Sequence, residues 1–150
     1  AELLLQSSEQ TGDHAGDQHE FRVHPADGIL IQHVAILDLI HPDESIRDNG
    51  VAYVKHCIDA VQTMGGEVLA GPLYSAVGRT WQMTADERAR DMDLLVSQLK
   101  SLANYANDRG VTMAIEPLNR FETSFINLAS QVIEVVNSMM SPMRSKVSSR

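Results

Sequence analysis

Apolar and polar positions along the chain fall into blocks with two different periods. Val51, Val54, Ile58 and Val61 recur at three- and four-residue steps, the period of one face of an α-helix. Ahead of them Pro42, Asp43, Glu44 and Ser45 form a helix start with acids in the first turn, and Gly65-Gly66 supplies a stop. The spacing predicts a helix over about 45–64. Ala85, Ala89, Met92, Leu95, Leu99, Leu102 and Ala106 mark the face of a second, longer helix. Thr84 stands at its N-cap with Glu87 at the capping-box position, and Arg109-Gly110 closes it. A third helix is predicted after Asn127 as its cap, with Leu128, Val132 and Val135 apolar and Gln131 and Glu134 polar.

Between the helices lie short apolar runs bounded by turn residues, the signature of strands covered on both faces. Glu67 to Ala70 is one, ended by Gly71-Pro72. Val111 to Ile115 is another, ended by Glu116-Pro117. Pro117 has no N–H for a ladder and biases Glu116 toward extended backbone, so the strand stops there. Gly28 to Ile40 is dense in Ile, Leu and Val and has room for one or two strands, with His33 read as a packed core residue. Strands and helices alternating in this way call for parallel strands with right-handed crossovers. The class is α/β, and spacing leaves both a (β/α) barrel and an open doubly wound sheet. Either architecture keeps its chemistry at the carboxyl ends of the strands. Glu116 is therefore the leading candidate residue, and Arg120 and Glu122 add a cation and a second acid in the same loop. The loop after Ala70 carries Tyr74, Arg79 and Trp81.

Residues 1–28 lack either period and are expected to form an arm; 29–138 is expected to be the folded domain and 139–150 an irregular tail. The arm holds His14, His19 and His24 among Asp13, Asp17 and Glu20. Their five-residue spacing gathers them on neither a helix nor a strand face, so a loop is preferred to a metal-binding arm. With 150 residues, 43% of them hydrophobic, the chain can form one domain with a real core. A formal net charge of −8 argues against nucleic acid or an anionic membrane as partner. A lone Cys57 permits no internal disulfide and suits a reducing, cytoplasmic setting. No apolar run is long enough to span a bilayer, and Leu3-Leu4-Leu5, without preceding basic residues, does not read as a signal peptide.

The run Ile115-Glu116-Pro117-Leu118-Asn119-Arg120-Phe121-Glu122-Thr123 resembles the central motif of the sugar isomerase/epimerase family with a xylose-isomerase-like barrel. Within it, the nearest resemblance is to the ketose 3-epimerases of the tagatose and psicose group. Gly71-Pro72-Leu73-Tyr74-Ser75 and Leu39-Ile40-His41-Pro42-Asp43 resemble loops of that group, in the same order, and the likeness runs from about Leu37 to Asn137. The resemblance implies a (β/α)8 TIM barrel in partial form, with about three to four βα units and parallel strands, since a full barrel takes about 250 residues.

It also implies metal-dependent epimerisation of a ketose at C3 through an enediolate. In that family one divalent cation (Mn, Co or Mg) is held by Glu, Asp, His and Glu from different strands and acts as Lewis acid and template. Two of the glutamates serve opposite faces of C3 as acid and base. Glu116 falls on the first metal-ligand position and on one of the acid/base groups. Glu122 falls on a position that hydrogen-bonds a substrate hydroxyl, and Arg120 and Asn119 on positions that shape the loop and orient it. Tyr74 and Trp81 are candidate walls for a sugar, with plain packing as the alternative, preferred for Trp81. The remaining Asp, His and second Glu have no counterpart, since the stretch from Ser138 to Arg150 contains no such residue. The ligand set is incomplete, which implies weak metal binding and impaired two-base chemistry for this chain alone. The alternative is a non-catalytic partial barrel that binds a sugar weakly or forms homo-oligomers through its open sheet edges. A phosphoester-cleaving endonuclease on the same barrel type would need a basic surface, and the charge counts against it.

Overall fold

The computed structural model describes the backbone of 20–24 and 28–32 and the whole of 37–140. The order is β1 (Glu20–His24), β2 (Gly28–Gln32), α1 (Glu44–Thr63), β3 (Val68–Gly71), α2 (Ala85–Asn107), β4 (Thr112–Ile115) and α3 (Ala129–Met140). The strands form one sheet in the order β1-β2-β3-β4. β2, β3 and β4 are parallel, with Leu69 opposite Met113 and Gly71 opposite Ile115. This is the parallel βα architecture that the alternating pattern predicts. β1 departs from it: it pairs antiparallel with β2, as a hairpin strand inside the stretch expected to be an arm. A stretch without apolar period can still enter a sheet through its backbone groups. His14, His19, His33 and residues 141–150 lie outside the described residues.

Both long helices begin as their caps predict. The Asp43 side chain accepts from Ser45 N at 2.9 Å, and Thr84 and Glu87 close a reciprocal capping box. α1 buries Val54, Cys57, Ile58 and Val61, the predicted stripe without its half-buried first member, Val51. Gly50, one turn earlier, lets the helix lie against the chain before it, because a Cβ there would meet Asp38 N and Leu39 Cδ2 at 3.3 Å. α2 buries Leu95, Leu99, Leu102 and Ala106 as expected, but Ala85 and Ala89 are exposed and Asp91 is fully buried. Its first turns therefore serve the rim loops instead of the apolar core.

α3 begins differently from expectation. Gln131 Oε1 accepts from the N–H groups of Asn127 and Leu128 at 2.7 and 3.0 Å, while the Asn127 amide donates to Leu118 O and Thr123 O, each at 2.8 Å. Asn127 ties down the preceding loop, and Gln131 satisfies the helix start. The helix continues through Met140.

The core joins α1 and α2 to β3 and to the rim residues Leu73, Tyr74, Phe125 and Ile126, all fully buried. Each such side chain contributes roughly 1.5–3 kcal/mol by leaving water. Among the described residues no strand pairs with the outer edge of β4. A groove of about 340 Å³ lies between β4, α2 and α3, lined by Leu99, Ala106, Met113, Ile115, Val136 and Met139 among others.

Candidate functional site

β3 and β4 run in parallel and end side by side, so Pro72 and Glu116 leave the sheet on the same rim. The Glu116 N–H donates to Gly71 O at 2.9 Å, which carries the ladder to the last residue of the strand, and the Glu116 side chain is exposed. The sequence thus delivers a carboxylate to solvent at a fixed backbone position. Among the described residues no ion pair joins it to Arg120. Arg120 is exposed, its guanidinium 5.2 Å from the centre of the Phe121 ring, and Phe121 is itself 78% exposed.

The loop beyond Glu116 is organised from within. Asn119 O accepts from the N–H groups of Glu122 and Thr123 at 3.1 and 3.2 Å. Asn119 Oδ1 accepts from Phe121 N at 2.9 Å, and its amide donates to Glu122 Oε2. Asn119 therefore orients the Glu122 carboxylate, the part its position in the motif implied.

Tyr74, a candidate sugar wall, is fully buried, with its ring 6.3 Å from that of Phe125. Its hydroxyl donates to Ile126 O at 3.1 Å and accepts from Leu118 N at 3.0 Å. Burial pushes the phenol up to about 12; the Leu118 N–H opposes this, and the charges of Glu116 and Glu122 add to it. Both carboxylates are thus felt at that hydroxyl, and Tyr74 acts on the loop that carries them. Trp81 is the reverse case, 58% exposed with the Arg79 guanidinium 5.3 Å from its ring centre. Of the two aromatic residues, Trp81 is the one that presents a face to solvent.

Two acids of this rim, Asp91 and Asp38, went unnoticed in the sequence, and Arg79 was read there only as a residue of the loop after Ala70. Arg79 is buried and pairs with Asp91, which also accepts from Arg90 at 3.0 Å. Asp38 is buried next to them; desolvation raises its pKa, the Ile40 N–H and the charges of Arg79 and His41 oppose that, and Asp91 adds to it. A signal existed for Asp91, which stands on the stripe of Leu95, Leu99 and Leu102. An acid in an apolar stripe requires a buried partner.

The acids among the described residues do not make a site for the cation that the resemblance implies. Among the described residues no group of three His, Cys, Asp or Glu could hold a metal ion. Glu116 and Glu122 supply carboxylate oxygens only, against the six or more ligands that a hard divalent cation collects.

Parallel βα units that end in an exposed carboxylate, beside a loop built to orient a second one, are the arrangement of the (β/α)-barrel class, which keeps its sites at the carboxyl rim of the strands. Residues 14–143 match the family model described as xylose isomerase-like TIM barrel, and the chain belongs to that family. It is 25% identical over 126 residues to an L-ribulose 3-epimerase of Methylomonas sp. (strain DH-1), a match covering 83% of this chain and 41% of that protein. It is 29% identical over 99 residues to a D-psicose 3-epimerase of Ruminiclostridium cellulolyticum, covering 66% and 33%. A solved structure of L-ribulose 3-epimerase superposes with a TM-score of 0.66 at 28% identity, covering 76% of this chain and 37% of that one. The chain therefore spans well under half the length of the relatives it matches. No helix among the described residues is long and apolar enough to cross a membrane.

Proposed function

We propose that this chain carries one side of a ketose 3-epimerase site, with Glu116 as the group that takes a proton from C3 of the sugar or returns it. The observation that carries this reading is the exposed Glu116 carboxylate at the end of β4, within a loop that also orients Glu122. The hydrogen on a carbon next to a ketose carbonyl is acidic because its electron pair can move into a C2–C3 double bond as the carbonyl oxygen gains the charge. Glu116 accepts that proton as a general base. Return of a proton to C3 then restores the carbonyl, and the face of return decides whether the carbon is inverted. Glu122 binds a hydroxyl of the open-chain sugar, Arg120 offers a cation beside it, and Tyr74 keeps the loop in shape. The sugar isomerase/epimerase relationship supplies the substrate class, a ketose. The described residues do not assemble a ligand set for Mn, Co or Mg. Cys57 is buried, and burial pushes its thiol up to about 11, so the thiol is inert and takes no part in this chemistry.

Exchange of the C3 hydrogen with solvent needs only one base, so it tests this side of the site alone. D-psicose and D-fructose incubated with the full chain in D2O, with and without added Mn, should lose their C3 proton signals in NMR. Glu116→Gln should slow that loss by roughly 100-fold or more, a typical worth of a general base, with an unchanged circular dichroism spectrum. Equal exchange in both proteins would remove Glu116 from the reaction.

A second reading, a non-catalytic partial barrel that binds sugar weakly and associates with itself, is favoured by one observation. The outer edge of β4 opens onto an apolar groove.

A further inference from the structure

Two rim loops, the one after β3 and the one after β4, are laced together by contacts that converge on Arg79. Gly78 N donates to Glu122 O at 2.8 Å, and Ser124 N donates to Arg79 O at 2.8 Å. The Ser124 hydroxyl lies 3.1 Å from Arg79 O and 2.8 Å from Trp81 O. Arg79 and Thr123 form a parallel bridge. The backbone on either side of Glu122 is thus held by the backbone around Arg79. The Arg79 side chain points the other way, 8% exposed, and pairs with Asp91 of α2, which is 0% exposed. Arg90 approaches Asp91 from the exposed side, and Asp38 is the other acid facing the pair.

A buried ion pair adds little stability over an apolar pair of the same shape, but it does fix geometry. Asp91 sits on a rigid helix, Arg79 is docked on Asp91, and the Glu122 segment is docked on Arg79. We propose that Arg79 is a positioning residue for Glu122, with the Arg79–Asp91 pair transmitting the rigidity of α2 to the sugar-binding loop. The inference rests on the reading of Glu122 as a hydroxyl-binding group.

The test uses the full chain and the variants Asp91→Asn, Asp91→Glu and Arg79→Lys. In Asp91→Asn, hydrogen exchange at the Gly78 and Ser124 amides should speed up by about tenfold or more, while that of Val54 and Ile58 in α1 changes by less than about twofold, the pattern of a local opening. With D-fructose, KM should rise by about tenfold while the C3 exchange rate at saturating sugar falls by less than about threefold, the split expected when ground-state positioning is lost. Arg79→Lys, which keeps the cation, should recover much of the KM, and Asp91→Glu serves where Asp91→Asn does not fold. Exchange at α1 rising in step with the loop would overturn the proposal, because the pair would then hold the fold as a whole. So would unchanged exchange at Gly78 and Ser124. Local opening in Asp91→Asn, together with a wild-type chain that binds no ketose, would overturn the sugar reading of Glu122 and leave the lacing established.

Discussion

A single hydroxyl, that of Tyr74, spans the loop from Leu118 to Ile126. Tyr74→Phe keeps the ring against Phe125 but removes two hydrogen bonds, leaving the Leu118 N–H and the Ile126 carbonyl only their bond to each other at 3.1 Å. A hydrogen bond of this kind contributes roughly 0.5–1.5 kcal/mol net. Urea unfolding of Tyr74→Phe should show that loss with an unchanged m-value, and a stability equal to wild type would mean that water replaces the hydroxyl. The two roles open to Tyr74 in the sequence could not be separated there, because no period sets the direction of a loop side chain. Glu116 was legible for the opposite reason. Pro117 ends the strand by its own covalent geometry, so the last residue before it is located without knowledge of the fold.

The caps of α1 and α2 act at the scale of the element, and they were readable because they are local. Thr84→Ala should destabilise the protein by about 1 kcal/mol at neutral pH, the usual worth of such a cap. The Thr84 N–H and hydroxyl hold the Glu87 carboxyl below its ordinary range, and Ser45 does the same for Asp43. Both folded-state pKa values lie below the unfolded ones. Their contributions are therefore present above the ordinary carboxylate pKa and are lost as pH falls through the depressed folded values. The Thr84→Ala penalty should accordingly shrink as pH is lowered below about 4, as thermal melts across that range would show. A penalty independent of pH would mean that Glu87 adds nothing to the cap. α3 escaped the same logic. Asn127 has the right residue type for a cap, but its amide is drawn to Leu118 and Thr123, a tertiary demand that a local pattern does not contain.

For the molecule as a whole, the outer side of β4, which no strand covers among the described residues, has the largest consequence. An unpaired strand edge beside apolar side chains is a template for association, and a net charge of −8 opposes it through repulsion that salt screens. Sedimentation velocity should show association that grows with protein concentration and with added salt. Met113→Lys, which places a charge in the groove, should hold the chain monomeric under the same conditions. A wild-type chain that stays monomeric at high concentration and salt would sink the self-associating reading.

Local chemistry by itself determined where the helices lie, where β3 and β4 stop, and that an acid stands at the end of the latter, because caps, stripes and prolines act within a few residues. The resemblance carried by Ile115 to Thr123 added the family. Only the tertiary structure decided that β1 runs antiparallel, that Tyr74 faces inward while Trp81 faces out, and that Arg79 and Asp91 meet. Each of those outcomes depends on how separate elements pack against one another. For the buried ion pair, desolvation forces a charge of the loop and a charge of the helix to find each other.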